Sequence, residues 1–301
     1  MKKVKHAFTM IELLIVIVIM GILAKFGTEL LLRTYEDFVV GTMNNRLLSQ
    51  SETAVTQIAN RLQYRIRESM VVRQNGGAPT ALSTTNDVAG NVVFEWIGYD
   101  VDGMRGDGAG TASTWSGFID VDNGLGSTNN LVSPGSDWNR IAGVITSLAP
   151  SGVASPALFF IGDETINVLT GFGWQGVLGN QNVNMHRINI GGGIDQFSPV
   201  VGTGTFGGVN IYEYYRLAWT AYALELFTDV DGRQKLQLWY DYQPWDGETY
   251  QQGTSQILME DVSSIAFASI GDTLKVQVCV SDNNLSGGTG AFSVCKEKTI
   301  Y

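Results

Sequence analysis

Residues 1–26 read MKKVKHAFTMIELLIVIVIMGILAKF, and this stretch decides what kind of chain follows. Lys2, Lys3 and Lys5 make a short basic start, His6 and Ala7 end it, and the residues from Leu13 to Ala24 are apolar without interruption. As a helix, Phe8 to Phe26 would rise roughly 28 Å, about the thickness of a bilayer's hydrocarbon core. The lysines should stay on the cytoplasmic side while the rest is exported. A secretory signal would carry a small-residue cleavage site after the apolar run, but LAKFGTELL offers no A-x-A pattern, so the helix is expected to be retained. Glu12 is the anomaly. A carboxylate at the middle of a membrane helix costs on the order of 2.5 to 3.5 kcal/mol, and something must offset it.

The remaining sequence is mildly polar, rich in Gly and poor in Pro, and long enough for one sizeable core. The net charge of the whole chain is −10, and loss of Lys2, Lys3 and Lys5 would take it to −13. Such an acidic body lacks the clustered Lys and Arg that phosphate binding needs, so no direct nucleic-acid contact is expected.

The segment KHAFTMIELLIVIVIMGILA resembles the class III leader of type IV prepilins and pseudopilins. The resemblance implies that a prepilin peptidase cuts between Ala7 and Phe8 and N-methylates Phe8. The family most often has Gly where this chain has Ala7. It further implies that Glu12 meets the cationic terminus of a neighbouring subunit in a filament, removing two lone charges from apolar surroundings. The alternative from the residues alone is a carboxylate that suits the positive end of the helix. The implied organisation is a leader at 1–7, a transmembrane and assembly helix at 8–33, a periplasmic amphipathic helix at 34–75 and a β-rich domain at 76–301. Other pilin subunits, the peptidase and inner-membrane lipid are the expected partners.

Val55, Ile58, Leu62, Ile66 and Met70 draw one apolar stripe at helical spacing, so the periodicity predicts a helix from Thr34 to about Gln74. Gly41 and Asn44-Asn45 favour a kink, after which SQSE at Ser49 to Glu52 reads as a capping box restarting the helix. Beyond NGGAP the pattern changes to short alternating or β-branched runs: NVVFEWIGYDV, SGFIDV, ALFFIG, INVLTGF and MHRINIGG. YALELFTDVDGRQKLQLWYDY alternates on both sides of Asp231-Gly232 and predicts a hairpin, and SSIAFASIG and TLKVQVCVS predict two more strands. The fold class is therefore α+β and pilin-like: a long N-terminal helix with an antiparallel sheet domain carrying a large loop-rich insert. Leu258, Val262, Ile265 and Phe267 resemble a stretch of the W-type minor pilins and J-type minor pseudopilins; residues 78–206 resemble nothing named.

Cys279 and Cys295 lie in the exported part without a C-x-x-C or Cys/His cluster, which favours a disulfide. Alternate acids at Asp100, Asp102 and Asp107, at Asp120 and Asp122, and at Asp229 and Asp231 offer oxygens to calcium; Asp-Gly turns explain the same letters. GTGTFG at Gly202 to Gly207 precedes a strand-like run, which argues for a loop over a nucleotide site. His186 has no nucleophile partner in a recognisable motif and reads as structural. Trp174, Trp219, Trp239 and Trp245 suit either a core or a glycan-binding face. No catalytic residues and no required cofactor emerge. The expectation is a minor pilin or pseudopilin that primes or caps a filament; the rival is a membrane-anchored exported binding protein, an adhesin or calcium-dependent glycan receptor.

Overall fold

A computed structural model describes residues 9–301 apart from 75, 83–87, 90–91, 107–111, 125–129, 150–154, 191–192, 272 and 283–291. In chain order its elements begin with α1 (Met10–Leu62), β1 (Val71–Gln74), β2 (Thr80–Ala81), β3 (Val88–Ala89), β4 (Val92–Gly98), α2 (Val101–Arg105), α3 (Val121–Gly124), β5 (Leu131–Val132) and α4 (Trp138–Leu148). They continue with β6 (Ala157–Phe160), β7 (Met185–Ile190), β8 (Gln196–Pro199), β9 (Tyr215–Ala218), β10 (Thr220–Thr228), β11 (Gln234–Tyr242), β12 (Thr254–Glu260), β13 (Val262–Ile270), β14 (Thr273–Asp282) and β15 (Phe292–Ile300). The architecture is α+β, a long apolar N-terminal helix followed by antiparallel sheets.

The chain divides into two compact units, residues 1–49 and 50–301. The first is helical from Met10. Its side chains from Met10 to Leu23 are exposed although almost all are apolar, the inverse of a globular protein's economy. Among the described residues one helix, α1, is long and apolar enough to cross a membrane. Gly41 and Asn44-Asn45, where a kink was expected, lie inside α1, and SQSE restarts nothing, because α1 runs through it without interruption. Single weak helix formers cost only about 1 kcal/mol each, too little to end a helix of this length.

Among the described residues the second unit holds three antiparallel sheets: β12-β11-β10-β4-β1-β2, β15-β14-β13-β3 and β5-β8-β7-β6-β9. The hairpin centred on Asp231-Gly232 forms as its alternation dictates, β10 pairing with β11 and Gly232 taking φ +77°. β4 is central, buried at every residue from Val92 to Gly98, which explains its unbroken apolar run. Phe94 of β4 stacks on Phe267 of β13 at 4.1 Å between centroids, joining the first two sheets. One core gathers around Ile66, Ile97, Phe172, Tyr242 and Trp245; another gathers around Trp115, Ile141, Phe160, Phe197 and Tyr215. Between β1 and β4 the Arg73 guanidinium is ion-paired with the buried Glu95, which also accepts from Tyr242 Oη at 3.0 Å. Burial pushes the Glu95 carboxyl up despite Arg73.

The helix expected to reach Gln74 ends at Leu62. Tyr64 and Arg65 tighten onto the carbonyls of Arg61 and Leu62, and Ile66 then donates to Ile97 O at 2.8 Å instead of continuing the helix. Ser69 Oγ accepts from Ile97 N at 2.9 Å and donates to Ile66 O at 2.7 Å, fixing a single 3₁₀ turn. Ile66 is thus buried as its place in the stripe requires, but β4 and not the next helical turn supplies the backbone partners. Two insert segments expected as strands also differ. SGFIDV contributes only an isolated bridge from Phe118 to Tyr214 and then α3, and INVLTGF forms turns held by Asn167 and Asn184. The helix α4 was not anticipated; Asp137 caps it by accepting from Arg140 N at 3.2 Å.

Candidate functional site

Glu12 sits in the first turn of α1, three residues after the cap residue Thr9. Its Oε2 accepts from both Thr9 N and Thr9 Oγ1 at 3.1 Å, while Glu12 N donates back to Thr9 Oγ1 at 3.4 Å. Thr9-x-x-Glu12 is therefore a capping box, two orphan donors at the helix start satisfied reciprocally. The same acid faces the positive end of the helix dipole. The T-x-x-E spacing was readable in the sequence, and it answers part of the puzzle that Glu12 poses: the carboxylate is hydrogen-bonded by its own chain. Ala7 and Phe8, the expected cleavage pair, lie outside the described residues. Past Glu12, the exposed face includes Leu13, Leu14, Ile17, Met20, Leu23 and Phe26, a continuous apolar surface along the helix.

The acids considered for calcium are placed otherwise. Asp100 is 3% exposed, and its carboxylate receives Gly103 N at 3.0 Å, Trp219 Nε1 at 3.2 Å and Trp115 Nε1 at 3.1 Å. Through these three donors Asp100 caps α2 and holds two indoles. Asp102 is in α2, Asp120 Oδ1 accepts from Asp122 N at 3.1 Å, and Asp107 lies outside the described residues. At the hairpin turn Asp229 pairs with Lys235, and Asp231 lies near Arg233. Among the described residues no three His, Cys, Asp or Glu side chains form a metal-binding group.

Cys279 and Cys295 stand directly opposite each other on β14 and β15, their sulfurs 2.05 Å apart, at disulfide distance. The loop between them was expected to be what the bridge ties; its residues 283–291 lie outside the described residues. Trp174 and Trp219 are buried, Trp245 is fully so and donates to Ser155 O at 2.8 Å, and Trp239 is half-buried and bonded to Glu225. These four indoles form no exposed face. Gly202 and Gly204 take φ +92° and +85° in a turn with no helix after it, which leaves GTGTFG without the helix N-terminus a pyrophosphate needs. His186, on β7, is buried between Phe160 and Phe206.

The described residues thus combine a capped, exposed apolar N-terminal helix, long and apolar enough to cross a membrane, with an antiparallel β-domain. Residues 2–24 match the prokaryotic N-terminal methylation motif. No curated protein and no solved structure matches the chain. The motif supports a type IV pilin-like family and implies processing by a prepilin peptidase and assembly with other pilin subunits. With the long apolar helix it is consistent with anchoring in an inner membrane.

Proposed function

We infer that the chain is a minor pilin or pseudopilin, a subunit that primes or caps a type IV pilus or type II secretion pseudopilus and has no catalytic activity of its own. The observation that carries this reading is a methylation motif running directly into an exposed apolar helical stretch, residues 10–26, whose single acid, Glu12, is held in its first turn. Cleavage between Ala7 and Phe8 and methylation of the new terminus would present a cation one residue before the cap. In the assembled bundle that cation, from a neighbouring subunit, pairs with Glu12 in a setting where breaking a buried pair costs about 3 to 5 kcal/mol. Until then the subunit waits in the inner membrane with its β-domain on the periplasmic side, and it ends at the filament tip or cell surface.

Two substitutions separate the capping role of Glu12 from its pairing role. Glu12→Gln keeps a capping-box side chain and removes the charge, whereas Glu12→Leu removes both. Both variants should be cleaved by the peptidase and then fail to co-purify with other pilin-like subunits, which the wild type should retain. Normal incorporation of Glu12→Gln, or mass spectrometry finding residues 1–7 still attached in wild-type cells with an active peptidase, would overturn the assignment. The second reading, an exported binding protein for which α1 is only an anchor, draws on a polar cavity in residues 50–301. A receptor would keep its ligand after loss of residues 8–33; a filament subunit would lose its partners.

A further inference from the structure

The last turn of α1, the helix α2 and the junction of β4 with β10 enclose an open cleft of about 460 Å³, all of it within residues 50–301. Two guanidiniums enter it, Arg61 from α1 and Arg105 from α2, and neither is paired with a carboxylate among the described residues. In a chain whose acids outnumber its bases 29 to 19, two such arginines side by side call for a reason. Arg105 is held in place: its Nη2 donates to Tyr64 Oη at 2.8 Å, and its guanidinium carbon lies 5.4 Å from the centre of the Tyr64 ring. Tyr99 braces Tyr64 edge-on at 5.8 Å, and the Arg216 guanidinium covers the Tyr99 ring at 4.6 Å. Arg61 spends one N–H on Gln57 O at 3.4 Å. A guanidinium carries several donors and no acceptor, so most of those on both arginines are left to face the cleft.

A third donor stands on the floor. The half-buried Tyr222 ring lies against Gly98, where a Cβ would come within 2.6 Å of it, and stacks on Trp96 at 5.5 Å. Among the described residues nothing hydrogen-bonds its hydroxyl. Burial pushes the phenol up to about 12 although the charge of Arg61 pulls it down, so the hydroxyl keeps its proton and donates. The acids in the cleft do not cancel these donors. The Asp100 carboxylate is engaged by Gly103, Trp115 and Trp219, and Asp102 is exposed on α2 as an acceptor. A cationic ligand finds the Tyr64 and Tyr99 rings already taken by Arg105 and Arg216. An apolar one would strand the guanidiniums without water. A bare inorganic anion would use the donors but not Asp102, nor the exposed amides of Asn60 and Gln63 at the rim. Donor-only, acceptor-only and amide groups together suit a molecule that carries both a carboxylate and several hydroxyls.

We propose that this cleft binds a sugar acid of the uronate class, its carboxylate held by Arg61, Arg105 and Tyr222 Oη and its hydroxyls meeting Asp102, Asn60 and Gln63. The site is independent of the filament reading: it can fail while that reading stands, because Glu12 and the apolar stretch of α1 contribute nothing to it.

The test is calorimetric titration of the full chain in detergent micelles, separately with glucuronate, galacturonate, glucose and sulfate. The expected result is saturable binding of at least one uronate, with glucose and sulfate weaker by about tenfold or more. That affinity should fall as salt rises from about 50 to about 500 mM, because the contact is charged and open to water. Arg105→Gln, at an exposed position, and Arg61→Gln should each weaken it by about tenfold or more. Tyr222→Phe keeps the ring on Trp96 and removes only the hydroxyl, so the melting temperature should hold while the affinity drops. The proposal is overturned by no saturable binding of either uronate at about 100 mM, a hundredfold above a millimolar Kd. It is overturned equally by glucose or sulfate binding as tightly as the uronates, or by an affinity that Arg105→Gln and Tyr222→Phe leave unchanged.

Discussion

Replacing Asp100 tests whether this acid is the structural tie that its contacts describe. The carboxylate caps α2 through Gly103 N, and it is the acceptor for Trp219 Nε1; Trp115 Nε1 is shared with the Asp100 main-chain oxygen at 3.1 Å. Asp100→Ala removes a cap worth about 1 kcal/mol. It also leaves the Trp219 indole, 7% exposed, without its acceptor, at about 1 to 3 kcal/mol. Trp115 keeps its main-chain partner and adds little. Against this, burial pushes the Asp100 carboxyl up, so removing it also relieves some desolvation. The net expectation is a loss of about 3 kcal/mol, or roughly 6 to 12 °C in Tm for a unit of this size. Asp100→Asn keeps an oxygen for Gly103 N but turns an amide N–H toward an indole donor, and should fall between wild type and alanine. Denaturant unfolding followed by tryptophan fluorescence measures all three, since Trp115 and Trp219 report the site directly. An alanine variant within about 1 kcal/mol of wild type, or an asparagine variant worse than alanine, would refute the reasoning.

The neutral state of His186 predicts a pH dependence with a definite sign. Its folded value of about 4 lies below the ordinary 6.5, so the unfolded chain binds the proton first; stability is full above 6.5 and falls by about 3 kcal/mol as pH drops toward 4. The difference between wild type and His186→Phe across that window isolates this contribution, and parallel profiles would contradict it. Reducing the Cys279–Cys295 link, which closes a sequence separation of 16, should cost roughly 3 kcal/mol, read as a lower denaturant midpoint and faster amide exchange along β15. At Gly173, with φ +88°, an added Cβ would stand 2.4 Å from Pro244 O and 2.5 Å from Trp245 Cα; Gly173→Ala should lose more than about 3 kcal/mol or fail to accumulate as folded protein.

The long N-terminal helix and the β10–β11 hairpin were legible because each is written locally, in an unbroken apolar run and in alternation around Asp231-Gly232. The segment from Gln63 to Gln74 was not. Its stripe is helical in period, and only the backbone of β4, distant in sequence, claims Ile66 and Ser69 for a turn and a strand. β15 escaped notice because Lys296, Glu297 and Lys298 interrupt its alternation; it lies at a sheet edge, where charge is tolerated and guards against stray pairing. Of the candidate site, Glu12 stood out by its charge, while its capping partner Thr9 was overlooked in favour of SQSE, letters of the same form placed inside a continuous helix. Asp100 looked like a calcium ligand because acids alternate around it; that two indoles from distant segments would reach its oxygens is a property of the fold alone.

On the filament reading proposed above, the bond between Thr9 and Glu12 changes what recruitment of the subunit has to accomplish. A side chain already satisfied at home is not rescued by a newcomer; it is exchanged, one donor for another. The driving force at this position is then a difference between two satisfied arrangements, smaller than the cost of a bare carboxylate in apolar surroundings.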